Sequence, residues 1–271
     1  MFADLERIAA VLEALPEKKL AIAYSGGVDS VTLARSAEII LGKKNVLLLF
    51  ADSVFAPSKE KAFALEWAAA RQLECVKVPF APLDIPQIAI NGNDRCYFCK
   101  KALFTALRSA ANERGFSVLS DGENLDDTND YRPGRKAADE LNIRHIFVEA
   151  QLNKDMIRDL AHDFALPNSQ APASACLASR IPCGTSIAPA ALSAVDQAEN
   201  ALMAMGFTGS RVRFYNDMAK VEVAANELEK FWQLKSVVLE KLNACGFKRV
   251  SVDLAGYSRG AVNGSDMEQL S

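Results

Sequence analysis

Four short stretches of this 271-residue sequence combine residue types that can do chemistry. The first is Ser25-Gly26-Gly27-Val28-Asp29-Ser30, which follows the apolar run Leu20–Tyr24 and precedes Val31, Leu33, Ala34 and Ala37 at helical spacing. Strand, glycine turn and helix is the plain reading. The glycines allow a tight turn and a close approach of backbone N–H groups to a ligand, and the helix start adds unpaired N–H groups and a positive dipole end. An anion fits there. Ser25 and Ser30 supply hydroxyl donors, while Asp29, a carboxylate beside an anion, requires a cation such as Mg²⁺ between the two.

The second stretch, Cys96-Tyr-Phe-Cys99, is a C-x-x-C open to three readings: a redox dithiol, half of a zinc site, or ligands to an iron–sulfur cluster. No second C-x-x-C accompanies it, and the two histidines, His145 and His162, do not have zinc-finger spacing and read as core or surface residues. The third is Cys176, in Ser174-Ala-Cys-Leu-Ala-Ser-Arg180, whose polar and basic neighbours Ser179 and Arg180 favour an exposed, reactive thiolate. Cys183 reads as its partner or a bystander, and Cys75 and Cys245 as small core residues. The fourth is Arg211-Val-Arg213, where alternation along a strand turns both guanidinium groups to one side, with Glu222 able to join them from the next strand. Two such arginines can clamp a phosphate or simply form a solvated face.

The elements that must position these residues follow from periodicity. Leu5, Ile8, Leu12 and Leu15 mark a first amphipathic helix that ends at Pro16. Strands are predicted at Leu20–Tyr24, Val46–Phe50, Cys75–Pro79, Val118–Asp121 and Arg144–Glu149, separated by helical patterns. That alternation predicts an α/β fold with a doubly wound, mainly parallel sheet, whose ligands sit at the carboxyl ends of the strands, where Ser25, Asp52 and Gly122 fall. A helix over 153–164 leads to a Pro-, Ser- and Ala-rich connector, after which the pattern changes to helix 189–205, strands 211–215 and 219–223, helix 226–244 and strand 249–254. Two domains are expected, residues 1–184 and a smaller α+β domain of residues 185–271.

Composition narrows the function. Lys plus Arg is 31 and Asp plus Glu is 34, so a net charge of −3 gives no global attraction for nucleic acid and disfavours a tRNA substrate. No apolar stretch approaches the ~20 residues of a membrane span and no signal-peptide pattern is found, so a cytoplasmic protein with reduced thiols is expected.

The Ser25–Ser30 string resembles the pyrophosphate loop (PP-loop) of the ATP pyrophosphatase superfamily, which splits ATP into AMP and pyrophosphate. Together with Cys96–Cys99, Asp121-Gly-Glu-Asn-Leu-Asp-Asp127, Asp130-Tyr-Arg-Pro-Gly134, Ala175–Pro182, Arg211–Arg213 and Val250–Tyr257, it makes almost the whole chain resemble the LarE sulfur transferases. That resemblance implies ATP and Mg²⁺, a pyridinium biscarboxylic acid mononucleotide substrate, and conversion of its carboxylate to a thiocarboxylate for the nickel-pincer nucleotide of lactate racemase. It implies that Asp29 holds the metal, that Arg211, Arg213 and Glu222 hold the substrate's phosphate, and that nickel-inserting and racemase proteins act downstream. It also implies a homo-oligomer. Single-cysteine members give up the sulfur of the residue matching Cys176; the added Cys96 and Cys99 predict instead that the three thiols bind a [4Fe-4S] cluster carrying an extra sulfide. Sacrificial donation from Cys176 and tRNA thiolation are the rival readings. Arg259 departs from the expected order after Tyr257 and receives no role.

Overall fold

The computed structural model describes residues 2–129, 133–171 and 175–257; Arg259 and Asp130–Arg132 of the sequence motifs lie outside them. By its internal contacts the chain forms two compact units, Met1–Ala175 and Cys176–Ser271.

The first unit is built on four parallel strands, β1 (Leu20–Ala23), β2 (Val46–Asp52), β3 (Glu74–Pro79) and β4 (Leu119–Ser120), in the order β3-β2-β1-β4. Placing β1 between β2 and β4 creates a switch in strand order beside the carboxyl end of β1, where the glycine turn begins. The central strands are apolar on both faces because helices cover both. Leu20, Ile22, Leu48 and Phe50 pack with α1 (Phe2–Glu13), α2 (Val28–Leu41), α3 (Ser58–Arg71) and α8 (Lys154–Asp163) through Ile8, Leu12, Val31, Trp67 and Leu160. Ala21, Leu47 and Leu49, one residue out of step, pack instead with Phe104, Leu107 and Ala111 of α5 (Arg95–Asn112) and Ala138 of α6 (Pro133–Glu140). The doubly wound expectation is met by this alternation. The one-turn helix α4 (Pro86–Ala89) precedes α5.

The apolar run at Ile146-Phe-Val predicts a fifth strand over 144–149, and here the structure differs. Arg144 makes a single parallel bridge to Ser120, with its N–H donating to Leu119 O at 2.9 Å, and the chain then turns into the short helix α7 (Ile146–Glu149). Helical spacing buries Ile146, Phe147 and Ala150 together in one core, whereas a strand would turn Ile146 and Phe147 to opposite faces.

The second unit carries α9 (Pro189–Ala204) and a three-stranded sheet of β5 (Arg211–Tyr215), β6 (Met218–Glu222) and β7 (Arg249–Val252), antiparallel between β5 and β6 and parallel between β6 and β7. The single predicted helix over 226–244 is two, α10 (Leu228–Gln233) and α11 (Lys235–Ala244), meeting at Leu234 while Phe231, Val238 and Leu242 remain buried.

Candidate active site

The turn after β1 is held by its own polar groups. The Ser30 hydroxyl donates to Gly27 O at 3.0 Å and its oxygen accepts from Ser25 N at 3.3 Å, while Gly27 N donates to the Ser25 oxygen at 3.3 Å. Ser30's proton is therefore used within the loop, and the Ser25 and Ser30 hydroxyl oxygens lie 3.3 Å apart, so Ser25 is the donor of that contact. Gly26 has φ +83°, and a Cβ there would lie 2.6 Å from the Ala64 Cβ of α3. Its glycine is required by conformation and by packing alike. Gly122 closes on the same turn: a Cβ on it would stand 3.0 Å from the Asp29 Cβ and 3.1 Å from Ser30 N.

Asp29, in the first turn of α2, is paired through both carboxylate oxygens with the ammonium of Lys154, the first residue of α8. Burial pushes the Asp29 carboxyl above the ordinary carboxylate range, Lys154 pulls against that, and Asp127 adds a second nearby negative charge. Lys154 is itself fixed: Asn153 caps α8 by accepting from Met156 N at 3.0 Å, and Lys154 N donates to Asp126 Oδ2 at 2.9 Å. A carboxylate at the head of an anion-binding turn is a ligand type that suits a hard divalent cation such as Mg²⁺. Asp52, at the end of β2, is exposed and forms an ion pair with Lys61 at 3.0 Å.

Beside Gly122, Asp121 accepts from His145 Nδ1 at 2.8 Å and from Glu123 N at 3.1 Å, with Lys100 at 3.9 Å. Burial alone would raise the Asp121 carboxyl, but the His145 hydrogen bond and the Lys100 charge bring it below the ordinary value. Among the described residues Asp121, Glu123 and His145 form a group whose ligand-type atoms lie within 4.8 Å of one another. Lys100 and Arg135, the latter 3.4 Å from Glu123, already counter its charge, so it works as an ion-pair clamp on the Gly122 turn.

Cys96 and Cys99 lie in the first turns of α5, exposed and half-buried respectively, and Arg95 Nη2 contacts Cys96 Sγ at 3.6 Å. Residues three apart share a helix face, so both thiols can serve one metal centre. In the second unit, Cys176 is exposed at the head of a 3-10 turn, Leu177–Arg180. Its carbonyl accepts from Ser179 N at 2.9 Å, Ser179 Oγ at 2.8 Å and Arg180 Nη1 at 3.2 Å. Arg180 is buried and forked onto Glu199 at 2.9 and 3.0 Å, and Glu199 also accepts from Val212 N at 3.0 Å. Arg180 thus braces the backbone of the turn, where its position in the sequence suggests a charge acting on the thiol. Arg213 forks onto Glu222 at 3.0 Å twice and donates to Ser179 O at 2.9 Å. Arg211 donates to Gly209 O and Ser210 O and lies 5.2 Å from the Tyr257 ring.

No family model matches the chain. It is 32% identical over 248 residues to the pyridinium-3,5-bisthiocarboxylic acid mononucleotide synthase of Lactiplantibacillus plantarum, an alignment spanning 91% of this chain and 89% of that protein. The chain belongs to the LarE family. Other relatives are uncharacterized proteins of Synechocystis sp., 35% identical over 89% of this chain and 91% of theirs, and of Methanocaldococcus jannaschii, 28% identical over 90% and 93%.

Within this LarE-family chain the structure gathers Ser25, Gly26, Gly27, Asp29, Ser30 and Gly122 at one turn, with Asp52 at the end of the neighbouring β2. In the other unit it brings Arg213 and Glu222 into contact and ties Arg213 to the turn headed by Cys176. Lys154, Asn168 and Glu199 are not marked as site residues by their spacing, and His145, which reads there as a core or surface residue, bonds to Asp121. Lys154 carried one local signal, a cation in a helix's first turn just after a capping asparagine, where the dipole favours anions.

Proposed function

We propose that this protein is an ATP-dependent sulfur transferase that converts a carboxylate of pyridinium biscarboxylic acid mononucleotide to a thiocarboxylate. The observation that carries the reading is the pairing of Asp29 with Lys154 on the Ser25–Ser30 turn, in a chain aligned over 91% of its length with a bisthiocarboxylic acid mononucleotide synthase. A carboxylate is a poor electrophile. Its oxygen attacks the α-phosphorus of ATP, the bond to the bridging oxygen breaks, pyrophosphate leaves, and the acyl carbon acquires AMP as leaving group. A sulfur nucleophile then adds to that carbon and expels AMP, leaving C–S in place of C–O with no net redox change.

The backbone N–H groups of the turn, the Ser25 hydroxyl and the Lys154 ammonium meet the negative charge that develops on the departing pyrophosphate. Asp29, aided by Asp127, would hold Mg²⁺, which when bound neutralises the phosphates. Arg213 keeps two of its five guanidinium N–H groups beyond those engaged with Glu222 and Ser179, and together with Arg211 it would seat the substrate's phosphate. Cys96, Cys99 and Cys176 would hold a [4Fe-4S] cluster, which when bound supplies sulfide to the acyl carbon for repeated turnover.

Anaerobic purification with iron and sulfide quantification, compared between wild type and Cys96→Ala, tests the sulfur source, and pyrophosphate release with the dicarboxylate mononucleotide tests the activation step. Iron in the wild type, its loss in the variant, and several product molecules per chain are expected. Absence of iron together with loss of the elements of H₂S from Cys176 after one turnover would establish the sacrificial route. No AMP with this substrate would overturn the assignment.

A further inference from the structure

Asn168 links a distant segment to the glycine turn: its Nδ2 donates to Gly26 O at 3.0 Å across 142 residues of sequence. A carbonyl only accepts, so this bond fixes which end of the amide faces the turn and directs Oδ1 the other way. Among the described residues that oxygen is buried and has no hydrogen-bond partner, although the residue as a whole is only half-buried. The surrounding backbone is already satisfied. Ala171 N donates to Asn168 O at 2.9 Å, and Arg158 of α8 holds Ser169 O at 2.9 Å and Ala171 O at 3.0 Å. A buried acceptor left unpaired costs about 1–3 kcal/mol, which favours a ligand donor at that oxygen.

We infer that Asn168 is a nucleotide-specificity residue whose Oδ1 accepts a hydrogen bond from the nucleoside part of ATP. This rests on the reading of the glycine turn as an ATP site. The ionised triphosphate carries no donor near neutral pH, so an orphaned acceptor beside the turn selects the only donors ATP has, its ribose hydroxyls and its adenine amino group. The same side chain thereby sets the Gly26 carbonyl through Nδ2 and distinguishes a nucleotide from a bare polyphosphate through Oδ1.

Equilibrium binding of ATP, 2′-deoxy-ATP, 3′-deoxy-ATP, purine riboside triphosphate and inorganic triphosphate to the intact protein and to Asn168→Ala tests this. In the wild type one of the three analogues binds about tenfold more weakly than ATP; in Asn168→Ala that penalty disappears because ATP itself has weakened to the analogue's level. A thermal melt establishes that the variant is folded, and Asn168→Asp, which keeps Oδ1 but loses the donor to Gly26, retains the analogue penalty. If Asn168→Ala weakens ATP and inorganic triphosphate equally while every analogue penalty persists, Asn168 is only a brace for Gly26 and the inference fails. If the wild type binds ATP yet shows no penalty with any analogue, the inference fails and the ATP site stands. If the wild type binds no ATP, both fall.

Discussion

Glu222 stands opposite Arg211 in the β5–β6 ladder, yet its carboxylate is forked by Arg213, whose own ladder partner is Lys220. The diagonal contact leaves Arg211 to the Gly209 and Ser210 carbonyls and draws Arg213 towards Ser179, the middle of the turn behind Cys176. Both members are buried, at 9% and 6% exposure, so removing one partner strands the other's charge. Glu222→Ala is expected to cost about 3–5 kcal/mol in chemical denaturation and Glu222→Gln clearly less. Arg213→Lys keeps the charge but loses the fork, and should raise KM for the mononucleotide more than KM for ATP. Equal effects on both KM values would separate Arg213 from the substrate's phosphate.

Lys154 pairs with Asp29 at the Ser25–Ser30 turn, and in the proposed reaction its ammonium meets the negative charge of the leaving pyrophosphate. Lys154→Ala should lower the rate of pyrophosphate release by about 10²–10³ with a much smaller change in ATP affinity, since the interaction strengthens in the transition state. Lys154→Arg should recover part of the rate. Single-turnover pyrophosphate release measured beside equilibrium ATP binding checks the split, and a loss confined to binding would reduce Lys154 to a ground-state contact.

The sheet was legible because β1 and β2 are continuous apolar runs, a pattern that only burial on both faces explains. Ile146-Phe-Val misled because a short apolar run fits a strand and a buried helical turn equally well, and the choice was made by where Arg144 bonds and His145 reaches. The Ser25–Ser30 turn was visible as a contiguous string, but Lys154 and Asn168 reach it from 125 and 142 residues away and leave no periodic trace. Glu199 escaped for the same reason: in the sequence it is one more charge on the surface of a helix, and only the fold turns it inward onto Arg180.

Gly26 and Gly27 look equivalent in the sequence and are not equivalent in the structure. Gly26 combines φ +83° with a Cβ position 2.6 Å from Ala64, whereas Gly27 has φ −67° and meets only the Ser25 hydroxyl, at 3.4 Å. Gly26→Ala is therefore expected to destabilise the fold by at least about 1–3 kcal/mol from backbone strain, with the collision against α3 in addition. Gly27→Ala should leave the melting temperature nearly unchanged and act on ATP affinity, because a side chain there intrudes on a ligand rather than on the core. Thermal melts and nucleotide binding on the two variants check this; a large stability loss in Gly27→Ala would contradict it.

The Asp121–His145 pair gives the Gly122 turn a pH window. Burial alone would lower the His145 imidazolium, but hydrogen bonding to Asp121 and the charges of Asp121, Glu123 and Asp139 hold it above the ordinary 6.5. Its contribution to stability is thus complete below pH 6.5 and is lost as pH rises through the raised value. Asp121 is held below the ordinary 3.8, so its contribution is complete above pH 3.8 and is lost as pH falls through the lowered value. The clamp is strongest between pH 3.8 and 6.5 and weakens on the alkaline side first under ordinary assay conditions. Because Gly122 abuts Asp29 and Ser30 N, that weakening should appear as poorer nucleotide affinity as well as a lower melting temperature. In His145→Gln, which can still donate to Asp121 but does not titrate, both alkaline declines should flatten. A melting profile that keeps its wild-type slope above pH 6.5 in this variant would assign the titration to another group.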